Sequence, residues 1–183
     1  MQQPLITNRF VERFNLSTPI ALAPMALATG GNLAAACARA GALSLVGGGY
    51  GDLVWTRREY RDAISLLDGN PQDLSRLGCG FISWKLAEDR SAFDWLLDQQ
   101  HKPAAVMLSF GDPTPFANIL SDHKIPVICQ IQTMAQLPQA VDAGANVIVA
   151  QGTEAGGHGV NELDGRSTFT FVPEIADWLA KHS

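Results

Sequence analysis

The sequence predicts a parallel α/β barrel of the (β/α)8 type, with about the first six β/α units present in the chain. Three observations lead there. Six short apolar runs alternate with helical patterns, their starts roughly 21 to 35 residues apart, which is the rhythm of βαβ units. The runs are almost wholly apolar rather than alternating, as in strands covered on both faces. Polar residues collect just after the runs, at the carboxyl ends where such barrels hold their ligands.

Taken in order, residues 1–18 are a polar lead-in with a mixed helical or turn segment around Phe10 to Phe14. Pro19 to Ala23 is the first strand, with Pro24 and Met25 at its end. An alanine-rich helix over Asn32 to Ala40 stops at Gly41. Leu43 to Val46 is the second strand, and Gly47 to Gly51 reads first as a tight strand-to-helix turn and second as a backbone cradle for a phosphate. A helix over Thr56 to Leu67 closes in the turn cluster Asp68-Gly69-Asn70-Pro71. Leu77 to Ile82 is the third strand, and Phe93, Leu96 and Leu97 form the apolar stripe of a helix over Glu88 to Gln99. Ala104 to Leu108 and Ile125 to Cys129 are the fourth and fifth strands, separated by a short helix over Pro115 to Ser121. A helix over Met134 to Ala143 precedes the sixth strand, Val147 to Ala150. After a long loop, Phe171 to Lys181 is the last helix.

A barrel fits better than an open dinucleotide-binding sheet. That alternative wants its glycine fingerprint after the first strand and an acidic residue about 20 positions on. Here the glycines follow the second strand, and the third ends in Phe81-Ile82-Ser83-Trp84. A TIM-type barrel of about 250 residues has eight units, so residues 1–183 are expected to form a single incomplete barrel domain. The two units not accounted for are those whose loops most often hold a phosphate. Two open sheet edges would then favour self-association or a completing segment.

Composition narrows the function. The chain has 183 residues, 46% hydrophobic and 17% charged, with net charge −5. No basic run exceeds Arg57-Arg58, which argues against nucleic acid as a partner. Cys37, Cys79 and Cys129 are widely spaced and odd in number. That argues against a disulfide framework or zinc site and for a reducing, cytoplasmic setting. Pro19 to Ala28 mimics a signal-peptide core, but two prolines interrupt it and Glu12 spoils the basic flank. It is also far short of the roughly 20 apolar residues that span a membrane.

The stretch Asn146 to Gly159, NVIVAQGTEAGGHG, is the centre of the expected site. A strand read as buried on both faces empties into a loop where glycines surround one histidine, leaving a ligand room to approach the backbone. Histidine is the usual general base near neutral pH, yet from its neighbours alone His158 reads equally as a loop residue bonding a carbonyl. Gln130 and Gln151 end apolar strands, where an amide must find partners. Glu154 and His158 are four apart, but the intervening glycines argue against a helix presenting both to a metal, and no metal is expected.

Four segments together carry a resemblance: AQGTEAGGHG, Ala23-Pro24-Met25, GGGYGD from Gly47 to Asp52, and SFGDPTPF from Ser109 to Phe116. They resemble, in the same order, the nitronate monooxygenases, FMN-dependent (β/α)8 barrels. The resemblance implies oxidation of alkyl nitronates, and of nitroalkanes, by O2 to carbonyl compounds and nitrite. It makes His158 the base that takes the α-proton. Gln151 and Gly156 match positions that contact FMN, and Met25 matches the backbone beside the isoalloxazine. Gln130, Gly157 and Gly80 complete the expected cofactor-binding set, although some bacterial members carry asparagine where this chain has Gly80. An FMN-dependent enoyl-thioester reductase is the nearest alternative. A non-catalytic remnant, or a binding protein completed by a partner, is the alternative of another class.

Overall fold

Each apolar run becomes a strand, and each strand joins the sheet beside its predecessor. The computed structural model describes residues 6–160 and 164–182; the first five residues of the lead-in and residues 161–163 of the long loop lie outside them. The strands are β1 (Ala21–Leu22), β2 (Leu43–Gly49), β3 (Leu77–Ile82), β4 (Val106–Ser109), β5 (Val127–Ile131) and β6 (Val147–Ala150). They form one six-stranded sheet in the order β1-β2-β3-β4-β5-β6, every pair parallel. A doubly wound sheet reverses its order at a switch point. This one never does, and it curls as part of a barrel wall.

The helices are α1 (Arg9–Phe14), α2 (Gly31–Arg39), α3 (Leu53–Leu66), α4 (Pro71–Leu74), α5 (Ser83–Leu86), α6 (Ser91–Leu97), α7 (Thr114–Asp122), α8 (Leu137–Asp142) and α9 (Thr168–His182), with a 3-10 turn at Met134–Gln136. Side-chain caps set several starts. Asn8 accepts the Val11 N–H at 2.9 Å, Asp52 the Trp55 N–H at 2.8 Å, and Asn70 the Gln72 N–H at 3.0 Å. Each satisfies a helix-start donor that would otherwise lack a partner. The Asp52 cap explains why α3 begins before the expected Thr56.

Period-two alternation divides the strand side chains between two cores. Val46, Cys79, Phe81, Val106, Leu108, Val127, Cys129 and Ile131 face the helices and pack with Tyr60, Phe93, Phe116 and Phe171. Leu43, Leu45, Met107 and Ile128 face the barrel interior, with Val147 and Val149 against them. Val11 and Phe14 of α1 join that inner cluster, so α1 closes the floor. The carboxyl ends of all six strands open on the opposite side.

A buried charge ties the floor to the wall. Arg76 is only 3% exposed; its Nε and Nη2 donate to the Asn15 carbonyl at 3.1 and 2.9 Å. Its Nη1 reaches the Ala38 carbonyl at 3.4 Å and Asp73 at 3.5 Å. One guanidinium thus joins the ends of α1 and α2 to the start of β3.

Several expectations change. Gly47, Gly48 and Gly49 belong to β2 rather than to a turn, because the strand continues pairing with β3 through Gly49. The fifth strand lies two residues later than expected and includes Gln130. The sixth strand has the expected bounds but is half-buried throughout, not buried on both faces. Among the described residues it pairs only with β5, so one edge lacks cover. The stretch read as one helix over Glu88 to Gln99 contributes only α6, and α5 was not expected.

Arg76→Met keeps the length of the side chain but removes both donations to the Asn15 carbonyl, one to the Ala38 carbonyl and the ion pair with Asp73. With hydrogen bonds to charged groups contributing about 1.5–3 kcal/mol each, it is expected to lower unfolding stability by roughly 3 kcal/mol. Urea denaturation followed by tryptophan fluorescence measures this, and a loss under about 0.5 kcal/mol, the range of an ordinary surface substitution, would contradict the assigned role.

Candidate active site

The polar rim of the inner face is where chemistry can occur. On β5 the inward positions are Ile128 and Gln130, continued by Gln132 just beyond its end; on β6 they are Val147 and Val149, continued by Gln151; on β4, Met107 is followed by Ser109. Parallel pairing in register sets Gln130 beside Val149. The apolar residues therefore form a floor, and the polar ones a rim one layer nearer the open end.

Those amides satisfy one another. Ser109 Oγ donates to Gln130 Oε1 at 3.1 Å, and Gln130 Nε2 donates to Gln151 Oε1. Gln132 Nε2 donates both to Gln151 Oε1 at 2.8 Å and to the His158 carbonyl at 3.0 Å. Gln151 Nε2 reaches the same carbonyl at 2.9 Å. Two donors from two strands thus converge on the backbone of one loop residue. A buried amide left unpaired costs about 1–3 kcal/mol, so the loop position of His158 and the partnering of the glutamines stabilise each other. Gln136 holds the end of β5, accepting the Gln132 N–H at 2.7 Å and the Thr133 N–H at 3.1 Å.

A cleft of about 640 Å³ opens above this floor, within the range of small-molecule sites. Met25, Gly80, Gln130, Gln151, Gly156, Gly157 and His158, the whole expected set, line it. Gly80 presents only backbone. A Cβ there would stand 2.3 Å from Pro24 Cγ and 3.3 Å from Met107 Cβ, so the Pro24 ring fills the space an asparagine would need. At Gly156 and Gly157 nothing lies within 4 Å of a Cβ position. Only the positive φ of Gly157, 88°, demands glycine there.

The His158 side chain stands at the exposed mouth, with its Nε2 3.1 Å from the Tyr50 hydroxyl and its ring 5.7 Å from that of Phe110. Among the described residues that line the cleft, none is charged. Cys129 neighbours the rim, but burial pushes its thiol up to about 12, which leaves it protonated and inert. Gln132 and Tyr50 are the residues that the sequence-derived set missed. Alternation with Gln130 marks Gln132 as facing inward; the Tyr50 contact spans 108 positions and has no local signal.

Glu154 serves structure. Its carboxylate accepts the Ser167 hydroxyl at 2.8 Å and the Thr168 N–H at 3.0 Å, capping α9 and fixing the loop that carries His158. Its own backbone N–H, then Ser167 and Thr168, hold its carboxyl below the usual range. A depressed folded-state pKa contributes stability above the unfolded value of about 4.3, lost as pH falls through the folded value. Glu154→Gln is therefore expected to be less stable than the parent near pH 7, with the difference shrinking as pH falls below about 4.3. Thr168 amide exchange and urea melts across pH measure it. A difference that grows on acidification would contradict the cap.

Comparison with known proteins agrees with this architecture. A family model described as nitronate monooxygenase matches residues 87–180, a span that includes Gln130, Gln151 and His158. A nitronate monooxygenase from Neurospora crassa is 30% identical over 182 residues, covering 86% of this chain and 48% of that protein. Among solved structures, a mutant of FabK from Thermotoga maritima superposes with a TM-score of 0.74 at 24% identity, over 94% of this chain and 54% of that one. A nitroalkane oxidase from Streptomyces ansochromogenes gives 0.73 at 21% identity, over 91% and 57%. At such identities the structures attest the fold alone. The chain spans about half the length of the relatives it matches. With its family model matched over more than half of its residues, the chain belongs to the nitronate monooxygenase family.

Proposed function

We propose that this protein is a flavoenzyme that oxidises alkyl nitronates with O2 to carbonyl compounds and nitrite, with FMN as cofactor. His158 is the general base when the substrate arrives as a neutral nitroalkane. The observation that carries this reading is His158 itself. Two glutamines pin its carbonyl while its imidazole projects at the mouth of an uncharged cleft. A fixed backbone with a projecting basic nitrogen suits removal of a proton from carbon. The C–H electron pair then passes onto the nitro oxygens as the nitronate.

The residues present fit the ring of such a cofactor. Met25, Gly80, Met107 and Val149 offer a mostly apolar surface. Gln130 and Gln151 each keep one amide N–H beyond those used in the network, suited to the polar edge of an isoalloxazine. Gly156 and Gly157 leave the approach open. Electron transfer from nitronate to O2 would be supplied by bound FMN. The FMN phosphate has no cationic partner among the described lining residues, so these side chains are assigned to the ring alone.

The nearest rival differs in what it must bind. An FMN-dependent enoyl-thioester reductase needs a pyridine dinucleotide as hydride donor, so rapid anaerobic bleaching of bound flavin by NADPH would favour it over the oxygenase. The rival of another class, a partner-completed or non-catalytic protein, draws on β1 and β6. Each has a strand on one side only among the described residues, and a further segment or a second copy is the proposed cover. Among the described residues no helix is long and apolar enough to cross a membrane. A cytoplasmic setting is part of the proposal, on the odd number and wide spacing of the three cysteines.

His158→Asn separates the two steps. Asparagine keeps polarity but cannot act as a base near neutral pH. In flavin-loaded protein, turnover of a neutral nitroalkane is expected to fall by about 10²–10⁴-fold, while pre-formed nitronate is oxidised at nearly the parent rate. Flavin absorbance is the control for cofactor loss. Parent-level nitroalkane turnover in the loaded variant would show that His158 is not the base.

A further inference from the structure

The glycine run at the end of β2 delivers one side chain to the site. A Cβ on Gly47 would stand 2.3 Å from the Met25 carbonyl oxygen, one on Gly48 2.4 Å from Phe81 Cε1, and one on Gly49 2.5 Å from Ala26 Cβ. The backbone is wedged between the segment after β1 and the Phe81 ring, and no larger residue fits at this separation. Two of its N–H groups are already engaged, that of Gly47 with the Thr29 carbonyl and that of Gly51 with the Gly48 carbonyl, each at 2.9 Å. Trp55 Nε1 also donates to the Gly47 carbonyl at 2.9 Å. So clamped, the strand ends on Tyr50 at the cleft.

Three contacts then converge on His158. The Tyr50 hydroxyl lies 3.1 Å from Nε2. The Tyr50 ring is edge-on to Trp84 at 6.2 Å, and His158 is edge-on to Tyr50 at 6.3 Å. Phe110 approaches His158 to 5.7 Å from a left-handed backbone, φ 57°, rare for a bulky aromatic. The Trp84 N–H holds that conformation by donating to the Phe110 carbonyl at 3.1 Å. Without these contacts an imidazole on an exposed glycine loop would turn freely about two bonds.

We propose that Tyr50 is the positioning residue for His158: its hydroxyl holds Nε2 and, with Phe110 against the ring, fixes one orientation of the imidazole at the cleft. The catalytic consequence rests on His158 being the base; the pairing itself does not. A hydrogen bond of ordinary net strength shifts the population of one orientation by about 2- to 12-fold. The turnover effect should therefore be modest, far below that of removing the imidazole.

Tyr50→Phe tests this, since it keeps the ring against Trp84 and removes only the hydroxyl. Imidazole 15N and 13C spectra of the cofactor-free chain come first, with His158 assigned by its loss in His158→Asn. The His158 Nε2 resonance is expected to move in Tyr50→Phe, while those of His101, His123 and His182 stay in place and report an intact fold. An unmoved His158 resonance overturns the proposal. In flavin-loaded protein, kcat for a neutral nitroalkane should fall about 2- to 12-fold with nitronate oxidation unchanged; equal kcat in parent and variant also overturns it. If the resonance moves but the loaded parent oxidises neither neutral nitroalkane nor pre-formed nitronate, the Tyr50 pairing stands and the nitronate reading falls; if it oxidises nitronate alone, the pairing stands and only the role of His158 as base falls.

Discussion

All six strands run the same way and add to the sheet in chain order, which forces every carboxyl end to open on one side. That single directional constraint assembles the site. Met25, Tyr50, Ser109, Gln130 and Gln151 are scattered over more than half of the sequence, and each lies in or just beyond the end of a different strand. The same constraint places α1 at the other end, where Arg76 ties it to α2 and β3. A floor fixed by a buried guanidinium and a rim of mutually bonded amides are the two ends of one layered interior.

The rim shows how an apolar barrel can carry polar chemistry without unpaired groups. Gln130, Gln132 and Gln151 use each other, Ser109 and one backbone carbonyl. Because the last acceptor belongs to His158, satisfying the network also positions the loop. The imidazole is left outside it, held among the described residues by Tyr50 and packed by Phe110. Backbone rigidity and side-chain availability are thus supplied by different residues, an arrangement suited to a proton-transferring group.

Much of this was legible in the residues. Leu77–Ile82 and Val147–Ala150 have the expected strand bounds because each apolar run is flanked by abrupt polar or glycine residues. His158, Gln130, Gln151, Met25, Gly80, Gly156 and Gly157 do line one cleft. What was misread depends on packing at a distance. The glycines of β2 look like a turn until the neighbouring Met25-Ala26 segment and Phe81 show why side chains are excluded. Gln130 looks like a strand end until its amide is seen bonded inside the sheet. Burial of β6 was expected from its composition, but composition does not reveal whether a second strand lies alongside.

The central claim is that the amide rim and the floor beneath it receive a flavin ring. The most direct measurement is NMR titration of the chain with FMN, following the side-chain amides of Gln130, Gln132 and Gln151 and the methyl groups of Met25 and Met107. These signals are expected to shift together and to saturate with one dissociation constant. If they stay still while signals at the opposite end of the barrel move, for example Asn118 and Asn146 in the cleft beside Arg13, flavin binds elsewhere and the assignment of the rim is wrong.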